Sequence, residues 1–215
     1  MKLYVTSILA LSAMLFSQTG CSTAPAAAED PVALGKHQYD NYCMPCHAPN
    51  GTGNPANEAP GIAGLPTWYV AAQLRKFRMG VRGGHFDDIA GHRMRPMSRA
   101  LVTEEAVDAV AAYVAGMPKQ RLDGSVNGGD AEKGKTSYAV CAACHGPNGE
   151  GNELLNAPPL AGQDDWYMLT QLHNFKAGIR GADERDMTGA TMRPNAMIMD
   201  DQAMLDVVAY VKTLK

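Results

Sequence analysis

The sequence predicts an all-α chain made of two tandem helical domains. Three observations carry that prediction: a block of residues recurs at a constant shift, apolar residues recur at helical spacing, and no run alternates apolar and polar residues as a half-buried strand would. The length of 215 residues fits one or two domains before the repeat is considered.

The repeat is long. Cys43 recurs 98 positions later as Cys141, and the same shift carries Gly51 to Gly149, Pro60 to Pro158 and Gly64 to Gly162. It carries Trp68-Tyr69 to Trp166-Tyr167, Gln73-Leu74 to Gln171-Leu172, Arg82-Gly83 to Arg180-Gly181, and Met94-Arg95-Pro96 to Met192-Arg193-Pro194. Two copies, each with its own cysteine motif, point to two domains and not to a solenoid.

Each copy has the same predicted elements. A short helix comes first, over Val32–Tyr42 and Ala131–Val140. Both helices hold a glycine four residues before a tyrosine, Gly35/Tyr39 and Gly134/Tyr138, which puts a gap and an aromatic on one face suited to close helix crossing. A Gly- and Pro-rich loop follows the motif. A middle helix starts at Trp68 or Trp166, with Val70, Leu74, Phe77 and Met168, Leu172, Phe175 along one stripe. The last helix carries Val107, Val110, Ala111, Val114 and again Met204, Val207, Val208, Val211. These stripes read as core packing.

The N-terminal segment stands apart. Lys2 precedes an apolar run from Leu3 to Phe16, too short for a membrane span, which reads as a secretory leader. Cys21 follows Gly20, as at a lipoprotein processing site, which would make it a lipidated mature N-terminus. Cleavage after Ala26-Ala27-Ala28 is the competing reading and would discard Cys21. The expected layout is a leader over 1–28, with cleavage alternatively before Cys21, a first domain over 29–117, a linker over 118–130 and a second domain over 131–215. A net charge of −3 argues against nucleic acid as a partner.

The chemistry lies in Cys43-Met44-Pro45-Cys46-His47 and its copy Cys141-Ala142-Ala143-Cys144-His145. Two thiols at this spacing can add to the two vinyl groups of one haem, and the following histidine then reaches the iron. A lone C-x-x-C would also suit a redox dithiol or half a zinc site. Two copies with His fixed after the second Cys favour covalent haem, with His47 and His145 as proximal ligands. A large flat cofactor at each centre would also account for an aromatic content of 7%, lean for domains of this size.

The distal ligand follows from the duplication. Equivalent domains need the same residue type at matching positions, and Met94 and Met192 meet that condition within Met-Arg-Pro. Met97 falls opposite Asn195, while His85 and His92 fall opposite Asp183 and Ala190. Met197 and Met199 lie by a one-residue deletion and are the fallbacks in the second domain. His/Met pairing fills both axial positions and raises the reduction potential. Pro60 and Pro158 are either ordinary loop prolines or residues whose backbone carbonyls accept from the His ring N–H, which would fix its tautomer. Arg82 and Arg180 are expected on the solvated surface, with pairing to haem carboxylates the alternative.

On these residues the chain resembles a dihaem class I cytochrome c of the cytochrome c4 type, over essentially everything after the leader. The resemblance matches the family's proximal histidine to His47 and His145, and its distal methionine to Met94 before Leu101 and Met192 before Met199. The family's proline–apolar–Ala–Gly loop matches Pro60–Gly64 and Pro158–Gly162. The departures are an extra residue near Val102 and the segment Asn195-Ala196-Met197-Ile198-Met199. It implies two small helical haem domains on a short linker and a periplasmic electron carrier, soluble or anchored through Cys21. Its donor would be a quinol-oxidising complex or dehydrogenase, and its acceptor a terminal oxidase. The competing readings are a haem subunit of a dehydrogenase or oxidase and a dihaem peroxidase; no catalytic residue is assigned.

Overall fold

The computed structural model describes residues 30–120 and 124–214. The leader, Cys21 and both cleavage points lie outside them. The described residues are helical, and their only pairing of extended backbone is an isolated bridge in each repeat, Asn54 with Ala59 and Asn152 with Ala157.

The first repeat runs α1 (Pro31–Gln38), a π-helical turn (Tyr39–Cys43), α2 (Met44–His47), α3 (Thr67–Arg78), α4 (Ile89–Ala100) and α5 (Glu104–Ala115). The second runs α6 (Ala131–His145), α7 (Asp165–Ala177), α8 (Met187–Ala190), α9 (Met192–Met197) and α10 (Asp201–Val211). Asp30 caps α1 through the Val32 amide with Pro31 at the first turn, and Asp130 caps α6 through Glu132 and Lys133. The helices expected to stop before the motifs instead run through them to His47 and His145. Helical geometry sets the two cysteines (i, i+3) and the histidine (i+4) on one face, as one shared ligand requires. The second-repeat helix is continuous over its Ala143. In the first repeat Pro45 occupies that place, and Tyr39 to Cys43 is one residue longer than Tyr138 to Cys141, so the turn widens to take the extra residue and the Met44 amide bonds Tyr39 O.

The predicted crossing forms in both repeats. α1 packs on α5 and α6 on α10. A Cβ on Gly35 would strike the Ala109 carbonyl, and one on Gly134 the Asp206 carbonyl. Tyr39 and Tyr138 pack beside Tyr113 and Tyr210 with ring centroids 5.5 and 5.2 Å apart. Val107, Val110 and Val114 on α5 are fully buried against Tyr39, Leu74 and Leu101, each side chain stabilising by about 1.5–3 kcal/mol. The second core gathers Tyr138, Met168, Val207, Val208 and Val211.

α4 was not predicted. Its sequence is rich in Arg and His and holds Pro96 in its interior, yet it forms a full helix, with Ser98 donating back to the Met94 carbonyl at 2.6 Å. The matching stretch divides into α8 and α9. Val102 is the extra residue before the last helix of the first repeat, since the caps Thr103 and Asp200 start α5 and α10 on either side of the offset. No helix among the described residues is long and apolar enough to cross a membrane.

The repeats pack together. After the chain leaves α5, the Lys119 ammonium reaches the Ala161 carbonyl. The buried carboxylate of Asp165 then accepts from the Ser125 and Val126 amides at 3.2 and 3.0 Å and pairs with Lys212 at 2.9 Å. Across the interface the Gly61 amide donates to Asp164 at 2.7 Å.

Candidate haem-binding sites

Each repeat holds an open cavity, with about 1270 Å³ of free space in the first and 1250 Å³ in the second when the solvent at the opening is included. Cys43, Cys46, His47 and Met94 line the first; Cys141, Cys144, His145 and Met192 line the second. Apolar side chains of the middle and last helices supply much of the remaining walls, so both cavities suit a large flat apolar group.

His47 and His145 are buried and held alike. The His47 ring Nδ1 lies 2.8 Å from the Pro60 carbonyl, and the His145 Nδ1 lies 2.8 Å from the Pro158 carbonyl. Each carbonyl takes the Nδ1 proton and leaves Nε2 as the ring's free ligand atom. Of the two sequence readings of these prolines, the carbonyl-partner one matches the geometry. Burial pushes both imidazoles below their ordinary pKa, with the carbonyl bonds opposing, so both are neutral near pH 7 and able to donate a lone pair.

The cysteines argue against a free redox dithiol. As thiols, Cys43 is pushed up to about 12 by burial and Cys141 is raised for the same reason. Reactive dithiols and zinc thiolates need the opposite shift. Among the described residues no group of three or more His, Cys, Asp and Glu gathers as a metal cluster would.

The methionines sort by position. Met94 projects from α4 into the first cavity, which Met97 also lines although it is 37% exposed. In the second repeat Met192 and Met168 line the cavity, while Met197 is 57% exposed and Met199 packs against the core. Met168 falls opposite Val70, which has no donor atom. His85 and His92 line neither cavity.

Arg82 and Arg180 depart from the surface position expected of them. Arg82 is buried, Arg180 is half-buried, and each guanidinium lies over a phenylalanine ring, Phe77 at 4.3 Å and Phe175 at 4.6 Å. They meet at a pseudo-two-fold contact between the repeats. Arg82 donates to Gln73 at 3.0 Å and across to Gln171 at 3.3 Å; Arg180 donates to Gln171 at 2.8 Å and across to Gln73 at 3.3 Å. Tyr69, Gln73, Gln163, Tyr167 and Gln171 line both cavities, so the two sites share a wall. The Nε of each arginine is buried and unpartnered, an unused donor beside the cavity that a haem carboxylate would satisfy. Thiol pairs, free imidazole nitrogens and idle guanidinium donors together fit two covalent haems.

The sequence comparisons agree with that fit. The profile of the family described as Cytochrome c matches residues 32–118 and again 131–215. The chain belongs to the cytochrome c family. It is similar to the thiosulfate dehydrogenase electron acceptor of Stutzerimonas stutzeri (strain A1501), at 33% identity over 79% of this chain and 78% of that one. It is similar to cytochrome c4 of Azotobacter vinelandii, at 27% identity over 95% and 98%. The crystal structure of reduced recombinant cytochrome c4 from Pseudomonas stutzeri superposes with a TM-score of 0.65 and 27% identity, covering 87% of this chain and all of that one. The molecule is thus a dihaem class I cytochrome of the c4 type, carrying two covalent haem c groups with His/Met-ligated iron, and it works in electron transfer.

The sequence reading missed the shared wall. Its signal was present: Tyr69 and Gln73 are four apart on one helix and recur as Tyr167 and Gln171, although each already has a core stripe on another face.

Proposed function

We propose that the chain is a two-haem relay outside the cytoplasm, taking electrons one at a time from a dehydrogenase or quinol-oxidising complex and delivering them to a terminal oxidase. The shared wall carries this reading, because side chains common to both cavities set the two haems side by side for internal transfer. The iron chemistry is supplied by haem when bound. Cys43/Cys46 and Cys141/Cys144 would form the thioethers, His47 and His145 would be the proximal ligands, and Met94 and Met192 the distal ligands. An iron held by both a histidine and a methionine would leave no place for peroxide, which supports a carrier over a catalyst. The printed name of the S. stutzeri relative supports a dehydrogenase as donor.

A reconstitution tests this. A dehydrogenase or quinol-oxidising membrane fraction should reduce both haems, and oxygen uptake by an oxidase fraction should depend on the holoprotein. Turnover of peroxide by the protein alone, with a high-spin ferric haem at rest, would favour the peroxidase reading instead. N-terminal sequencing of the mature chain decides between a lipidated Cys21 and a chain starting at Glu29.

A further inference from the structure

Beside the matched Arg82/Arg180 contact, one charged residue between the repeats has no counterpart. Lys76 on α3 reaches into the second repeat, where its Nζ lies 2.6 Å from Asp186 Oδ1 and 2.5 Å from the Thr188 hydroxyl. The lysine side chain is 16% exposed and the aspartate 1%. Lys76 and Thr188 line the second cavity, while Asp186, held by the Gly189 amide, does not. The cation is therefore the member of the pair at the cavity wall.

The corresponding place in the first repeat is reversed in charge. The residue opposite Lys76 is Asn174, which carries no charge, and the residue opposite Asp186 is Asp88. Asp88 lines the first cavity, and its carboxylate is held by the Gly83 and Gly91 amides at 3.1 and 2.9 Å. Arg82 and Arg180 also act on Lys76, but they are a matched pair, one lining each cavity. Lys76 has no match.

We propose that Lys76 is a tuning residue that the first domain supplies to the haem of the second. It rests on the two-haem reading above. A fixed positive charge at a cavity wall favours the iron state of lower positive charge, so Lys76 raises the reduction potential of the second haem and leaves the first less affected. The second domain returns no such charge to the first. Docking of the domains thus fixes the potential of one haem through a residue of the other domain.

The test is a redox titration of the holoprotein at pH 6, followed through haem-methyl NMR resonances that report each haem separately. Lys76→Met should shift the ferrous-to-ferric ratio of the second haem toward ferric, by roughly three- to tenfold at fixed applied potential, with a smaller change at the first. A tenfold shift corresponds to about 59 mV for one electron. Lys76→Arg should restore the wild-type ratio. Asp186→Asn keeps the oxygen that caps Gly189 but removes the counter-charge, and should shift the second haem the opposite way. Loosening of the interface would move Lys76→Met and Asp186→Asn in the same direction, and that result, or unchanged ratios in both, overturns the proposal. Absence of two low-spin haems in the wild type would instead indict the two-haem reading.

Discussion

Arg82 of the first domain donates from Nη2 to the Tyr167 hydroxyl of the second at 3.2 Å. The bond lies where both cavities meet, and the same nitrogen also reaches Gln171. A buried guanidinium can occupy this place because one fork of donors serves both domains. A contact that helps hold the repeats together is therefore one that lies between the two cavities.

Arg82→Leu should destabilise the chain by about 1–3 kcal/mol, since it leaves a buried phenol and two glutamine oxygens short of a donor. Tyr167→Phe removes a single bond and should cost about 0.5–1.5 kcal/mol. Urea denaturation of the holoproteins measures both. Equal, negligible losses would mean that the interface network does not hold in solution.

The helix crossing makes a sharper steric prediction. Gly134→Ala brings a methyl group onto the Asp206 carbonyl, and neither partner is a mobile side-chain end. The cost should be about 1–3 kcal/mol, as for other overpacked sites, and thermal melting reads it directly. Gly128→Ala is the control. Its Cβ would meet nothing within 4 Å, although its φ of +88° makes it strained on backbone grounds alone. A Gly134→Ala loss no greater than that of the control would show that α6 and α10 do not pack this closely.

Asp165 sets an acid dependence. Burial raises its pKa, but Lys212 and the Val126, Ser125 and Trp166 amides outweigh that effect and bring it to about 2. The folded value lies below the ordinary 3.8, so the stabilisation is present above that pH and is lost as pH falls toward 2. Asp165→Asn should cost about 1–2 kcal/mol at pH 7. Denaturation of wild type and variant across pH should show the gap closing between about pH 4 and 2. A gap independent of pH would point to geometry and not to charge.

Two covalent haems per chain follow from two intact motifs. Intact-mass measurement on protein made with a cytochrome c maturation system should show two haem additions, and Cys141→Ala with Cys144→Ala should leave one. One addition in the wild type contradicts the paired sites.

Much of this was legible in sequence because the chain states its site twice. A constant offset of 98 pairs the motifs and Met94 with Met192, and the shared glycine-to-tyrosine spacing pairs Gly35 with Gly134 at an offset of 99, so these could be read without coordinates. Residues that work by breaking the repeat were not legible. Lys76 opposite Asn174 looks like neutral drift until Asp186 is seen beside it. The helix bearing Met94 was hidden because Pro96 reads as a breaker and the arginines carry no apolar stripe. Arg82 and Arg180 read as surface residues because their burial comes from the other domain, which no local pattern records.

Met94 and Met192 are proposed to complete two equivalent six-coordinate sites. Absorption spectra of the ferric Met94→Ala and Met192→Ala holoproteins test it most directly. Each variant should retain two covalent haems, lose about half of the Met-to-iron absorption band and gain one high-spin haem. Met97→Ala and Met197→Ala should leave the band nearly intact. Loss of half the band in Met97→Ala or Met197→Ala, or a full band in both Met94→Ala and Met192→Ala, would contradict the account.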